Sequence, residues 1–115
     1  MKALNYRSPI GGPRVFADWV IALANQSGAY VIRSNKTNEI LYVGESHTGR
    51  LSATIRRHFH AWEDSPDRKH FTYSPHYVEV AVRLSPRKSA VGAQNKLIKR
   101  LCPRDNTNGY AEEPF

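Results

Sequence analysis

The sequence predicts a small α/β domain: a central antiparallel sheet of about three strands flanked by helices. Three observations carry this. Two short apolar runs, GAYVIR (28–33) and EILYVG (39–44), flank the polar turn cluster SNKTN, the pattern of a β-hairpin. A third run, YVEVAVR (77–83), alternates strictly and places Val78, Val80 and Val82 on one face of a strand. Helical periodicities precede, separate and follow these runs, giving the order helix–β–β–helix–β–helix.

Taken in chain order, residues 1–12, which end in the two glycines before Pro13, read as a flexible N-terminal arm, leaving 13–115 as a single domain. From Pro13 the pattern is helical, with Phe16, Trp19, Val20 and Leu23 on one stripe, and NQSG (25–28) stops it. In the hairpin, pairing the opposite charges of Arg33 and Glu39 sets a register in which Tyr30 lies opposite Tyr42. A slip by an even count keeps the two tyrosines on one face, whereas an odd slip separates them. Residues 50–62 form a second amphipathic helix: Leu51, Ile55, Phe59 and Trp62 on one side, Arg50, Thr54 and Arg57 on another, His58 at the boundary. Residues 63–76 read as a loop. The last helix begins near Pro86 and ends before Pro103. On its wheel Ala90, Leu97 and Leu101 line up, flanked by Val91 and Ile98, and the polar Gln94 falls in the middle of that face.

A length of 115 residues suits one compact domain, and the formal charge of +7 favours a polyanionic partner, nucleic acid first. The plainer reading of that charge is a basic surface that aids solubility. A single cysteine, Cys102, rules out an internal disulfide and fits a reducing, cytoplasmic compartment. No apolar run approaches the roughly 20 residues of a membrane span, and no signal-peptide pattern opens the chain. The histidines and Cys102 do not form a zinc pattern: His58 and His60 point about 160° apart on the helix wheel.

GAY (28–30) and YVG (42–44) on adjacent strands, then RLSATIRRHF (50–59), a strand, and NKLIKRLCPRDN (95–106), resemble in order the motifs of the GIY-YIG nuclease superfamily. The resemblance spans roughly residues 28 to 110. It implies a three-stranded sheet flanked by helices and divalent-metal-dependent hydrolysis of a phosphodiester bond, usually in DNA. Such hydrolysis needs a deprotonated water, neutralised phosphate oxygens and a stabilised leaving group. Tyr42 resembles the family's general base, and Tyr30 the tyrosine that assists it. A phenol with an ordinary pKa near 10 needs positive charge nearby to act so.

A guanidinium fork suits the phosphate. The family's usual arginine lies eight residues after the YVG glycine, where this chain has Ser52. Arg50 is the favoured replacement and Arg57 the reserve. His58 matches a histidine that some members carry, able to relay a proton or contact phosphate. Gly44, Glu45 and Asn106 are supporting positions. Glu45 stands where other members often have lysine or a small polar residue; it reads either as a group reaching a metal or, more plainly, as a loop carboxylate paired with Arg or Lys. Arg68, Lys69, His70, Lys88 and Arg104 are candidate nucleic-acid contacts.

Aligned on NKLIK, Gln94 takes the position of the family's metal-binding glutamate, so the wheel and the resemblance single out the same residue. An amide offers one neutral oxygen, and Mg²⁺ or Mn²⁺ is expected to bind weakly there. Either Gln94 replaces a natural glutamate in an inactivated form of the protein, the favoured reading, or it is native and the domain is a weak nuclease or a binding-only descendant. The leading expectation is thus a small, monomeric DNA endonuclease, with a dimer as the alternative state. A non-catalytic nucleic-acid-binding module is the competing function, using the basic, aromatic stretch DRKHFTYSPHY. An interaction domain built on the first helix is a third reading.

Overall fold

The computed structural model describes residues 3–13, 15–59 and 73–106. The chain begins with a small hairpin, β1 (Ile10–Gly12) and β2 (Val15–Phe16), followed by a single helical turn, α1 (Asp18–Ile21). This corrects the helix expected from Pro13. Proline fits the first turn of a helix, but it fits a β-turn equally well. The two glycines before it decide the matter, because Phe16 folds back to pair with Ile10. The predicted apolar stripe is still used: Val20 is fully buried, and Phe16, Trp19 and Leu23 pack against the same cluster. Asn25, at φ 68°, ends the segment in the left-handed region.

The stretch expected to be a flexible arm is tied to the domain where it is described. Arg7 and Val80 exchange both backbone hydrogen bonds, at 3.0 and 2.8 Å. Leu4 and Tyr6 pack on an apolar cluster, and the Arg33 guanidinium lies 3.8 Å from the Tyr6 ring centroid.

The main sheet has three antiparallel strands, β3 (Gly28–Ser34), β4 (Ile40–Ser46) and β5 (Val78–Leu84), in the order β4-β3-β5. The fold is the small α/β class that the sequence predicts. The hairpin register is not the expected one: Tyr30 lies opposite Gly44 and Ile32 opposite Tyr42, with an irregularity between Ile32 and Arg33. The rule of opposite charges across a sheet operates, but on the other neighbour. Arg33 faces Glu79 on β5, with Nε 2.8 Å from Oε1. The slip is an even one, so both tyrosines stay on one face, in the same buried cluster.

Helix α2 (Leu51–Arg57) is followed by a tight turn in which the N–H groups of His58 and Phe59 donate to the carbonyls of Ile55 and Arg56. The expected continuation to residue 62 lies outside the described residues. Helix α3 (Arg87–Leu101) runs from Pro86 to Cys102, whose left-handed φ of 49° ends it one residue before Pro103.

The two long helices cover opposite faces of the sheet, as strand alternation requires. Tyr30, Ile32, Tyr42, Val78 and Val80 face the side of α1 and α2, with Leu51, Ile55 and Phe59. Ala29, Val31 and Val43 face α3, with Leu97. Among the described residues no helix is long and apolar enough to cross a membrane.

Candidate functional site

The two motif glycines each have a steric reason. A Cβ on Gly28 would run into the backbone of Arg83 and Leu84, and its φ of 152° also disfavours a side chain. A Cβ on Gly44 would collide with the hydroxyl and ring of Tyr30. Tyr30 therefore lies across β4 in the space that Gly44 leaves, which follows from their being directly opposed.

Around Tyr30 the structure gathers an aromatic cluster. Its hydroxyl is 2.6 Å from His58 Nε2, a bond in which the phenol donates when the imidazole is in its Nδ1–H form. The His58 ring lies 4.8 Å from the Tyr42 ring and 6.1 Å from that of Tyr73, centroid to centroid. Tyr30 and Tyr42 are 6.3 Å apart. Tyr30 is 1% exposed, His58 0% and Tyr42 5%. Burial pushes the Tyr30 phenol well above its usual range; Tyr42, Glu45 and Tyr73 add to this and Arg57 opposes it. Tyr30 is accordingly a neutral hydroxyl at any ordinary pH.

Tyr73 was not singled out by the sequence. Its hydroxyl donates to Asp105 Oδ2 at 2.6 Å, and its N–H donates to the His58 carbonyl at 2.7 Å. Burial and then the bond to Asp105 raise its phenol far above the ordinary value. Burial alone pushes the Asp105 carboxyl up, but hydrogen bonds from Arg104 and Tyr73 more than offset this and lower it. Nothing in the local pattern marks Tyr73 or Asp105, because their meeting depends on two chain segments converging at β4. The same convergence seats Asn106. The Val43 N–H donates to its Oδ1 at 2.9 Å, and its Nδ2 donates to the Val43 carbonyl at 3.0 Å. Asn106 thus closes the outer edge of β4 between Tyr42 and Gly44.

Beside the cluster, where β4 leads into α2, a cleft of about 220 Å³ is lined by Glu45, Ser46, His47, Thr48, Arg50, Ala53, Thr54 and Arg57. Its connecting loop is held from several sides. Ser46 Oγ accepts from the Arg50 N–H and Ser27 Oγ from the Gly49 N–H, both at 3.0 Å. The Leu51 N–H donates to the Gln26 carbonyl, and the Arg87 guanidinium passes beside Gly49. Arg50 and Arg57 thus share one cleft, as their spacing implied, and Arg57 is the one whose charge reaches the Tyr30 hydroxyl. Neither tyrosine lines the cleft.

The remaining candidates fall elsewhere. Gln94 is buried, with 6% exposure, beside Ala90 and Leu97 on the helix that covers the opposite face, and it does not line the cleft. Arg104 is engaged by Asp105 at 2.8 Å and stands 3.9 Å from Glu39. Lys88 is exposed in the first turn of α3. Arg68, Lys69 and His70 lie outside the described residues. No protein-family model matches the chain, and no curated protein is significantly similar to it.

Proposed function

We propose that the chain is a metal-dependent endonuclease of the GIY-YIG type acting on DNA in the cytoplasm, in a weakened form. The observation that carries this reading is the doubly arginine-lined cleft beside the Tyr30–Tyr42–His58 cluster, with Arg57 and Glu45 acting on the Tyr30 hydroxyl. Arg50 and Arg57 grip the non-bridging phosphate oxygens, with the forked guanidinium geometry that suits them. Tyr42 acts as the phenolate: it first releases its own proton to solvent and then takes the proton of the attacking water. Tyr30, held neutral, orients Tyr42 and His58 rather than acting as a base itself.

The resemblance also implies Mg²⁺ or Mn²⁺ at position 94, and the residue there does not fit it. Gln94 is a neutral amide that brings no negative charge to a cation, so no step is routed through an ion at that position.

The reading is tested by nicking of single-stranded, double-stranded and branched DNA with Mg²⁺ and Mn²⁺. The protein as it stands is expected to nick slowly with Mn²⁺ and faster as Gln94→Glu, and Tyr42→Phe or Arg57→Ala to reduce the rate at least about 100-fold. No cleavage by either the parent or Gln94→Glu sinks the reading. The near-complete burial of both tyrosines favours the second function, a non-catalytic nucleic-acid-binding module. It predicts salt-dependent DNA binding that needs neither metal nor Tyr42.

A further inference from the structure

We propose that the outward face of α3, with the groove between it and β5, binds the phosphate backbone of a nucleic acid. The inference rests on the readings above only for the kind of partner, and the surface is separate from the cleft of Arg50 and Arg57. Residues 80–104 hold seven Lys or Arg and no Asp or Glu, in a chain whose formal charge is +7. Five of these cations, Arg87, Lys88, Lys96, Lys99 and Arg100, lie on α3 and are exposed.

The helix sorts them. At about 100° per residue, Lys88, Gly92, Lys96 and Lys99 fall within an arc of about 80°, opposite the buried Ala90, Gln94 and Leu97. Lys88 and Lys99 stand about 16 Å apart along the axis, a row long enough to meet several phosphates of one strand. Among the described residues none of these three lysines makes an ion pair, whereas Arg33 is held by Glu79 and Arg104 by Asp105. A row of like charges with no acid on its own helix is the electrostatic complement of a polyanion.

Beside the row the surface is concave. Arg83 on β5 and Ser89, Gly92, Ala93 and Lys96 on α3 line a groove of about 420 Å³. Small side chains between two cations let a sugar–phosphate chain come close to the helix, within reach of a guanidinium and an ammonium. No packing contact explains Gly92. A glycine inside a helix destabilises it relative to alanine, and a Cβ there would meet nothing within 4 Å. What the glycine leaves is room over the groove. An anionic membrane surface is matched by a ridge of protruding apolar side chains. This face has small and polar residues at its centre instead, which favours nucleic acid. Arg87, in the first turn, passes beside Gly49 in the loop of the arginine cleft, so the basic face starts next to that loop.

The test is fluorescence anisotropy of the full chain with labelled single-stranded DNA, duplex DNA and duplex RNA, in EDTA and across a salt series. On the tightest of the three, the combined variant Lys88→Gln, Lys96→Gln and Lys99→Gln is expected to bind at least about thirtyfold more weakly. Its salt slope is expected to fall by about two to three. Gly92→Gln fills the groove without a change of charge and is expected to weaken binding at least about fivefold, with circular dichroism showing the helix kept. Lys36→Gln, at an exposed lysine of the β3–β4 turn, is expected to stay within about twofold of the parent. No binding of any probe by the parent, a triple variant that binds like the parent, or indifference to Gly92→Gln each overturns the proposal. So does binding to phosphatidylserine vesicles in preference to all three nucleic acids. Failure of the nuclease reading looks different: the lysines carry binding, yet Gln94→Glu cuts nothing. Conversely, cleavage of dilute DNA by Gln94→Glu that the triple variant leaves undiminished keeps the nuclease reading and removes this surface.

Discussion

The sheet has two buried faces built on different principles. Toward α3 it presents Ala29, Val31 and Val43 to Leu97, a layer of small and branched side chains that lets the helix approach closely. Toward α1 and α2 it presents Tyr30 and Tyr42 to His58 and Tyr73, with the Tyr30 hydroxyl on His58 and the Tyr73 hydroxyl on Asp105. The first face gains its stability mainly from burial and dispersion, with the amide of Gln94 buried beside Ala90 and Leu97. The second buries hydroxyls and an imidazole, which is tolerable only because each finds a partner. The cleft with its arginines opens beside the second face. A polar network thus lies beside charged groups on the second face, whereas the first is mostly apolar.

Damage to the two faces should therefore read out differently. The largest effect is expected from Leu97→Ala, which opens a cavity against α3 and costs about 3 kcal/mol in chemical denaturation. It should leave the His58 ring signals in nuclear magnetic resonance unshifted. A shift there would mean that the faces are coupled through the sheet.

On the polar face, His58→Phe leaves the Tyr30 hydroxyl buried without its partner and should cost about 2 kcal/mol. Tyr30→Phe in the same background should recover part of that loss, and a double-mutant cycle should give a coupling of about 1 kcal/mol. Strict additivity would dissolve the network into independent core residues.

The smallest effect is expected at the rim of the polar face, for Asp105→Asn, at about 1 kcal/mol near neutral pH. The folded-state pKa of Asp105 is lowered, so its stabilisation is present above the ordinary carboxylate value of about 3.9. It fades as the pH falls through the lower folded value. The gap between parent and variant in thermal unfolding should thus close on acidification below about pH 4. A gap that persists at lower pH would assign the loss to packing rather than charge.

Much of the architecture was legible from local rules. The strict alternation of YVEVAVR gives β5, and the proline pair at 86 and 103 brackets α3 closely. The front of the chain was misread because Pro13 suits a turn and a helix alike, and only the pairing of Ile10 with Phe16 distinguishes them. The cross-strand charge rule was sound, but with two neighbours available to β3 it was applied to Glu39 instead of Glu79. In the site, the same-face placement of Tyr30 and Tyr42 survived that error because side-chain parity tolerates an even slip.

By itself, then, the sequence determined the sheet, the last helix, the shared face of the two tyrosines and the anomaly at Gln94, since each follows from a period or a turn chemistry within one short segment. Tertiary structure alone decided that Tyr30 lies over Gly44 and meets His58, that Tyr73 is anchored by Asp105, and that Glu45 stands against His47 in the arginine cleft. Those meetings depend on register, on which strands are neighbours and on side-chain rotamers. Long-range packing fixes all three, and no local pattern encodes them.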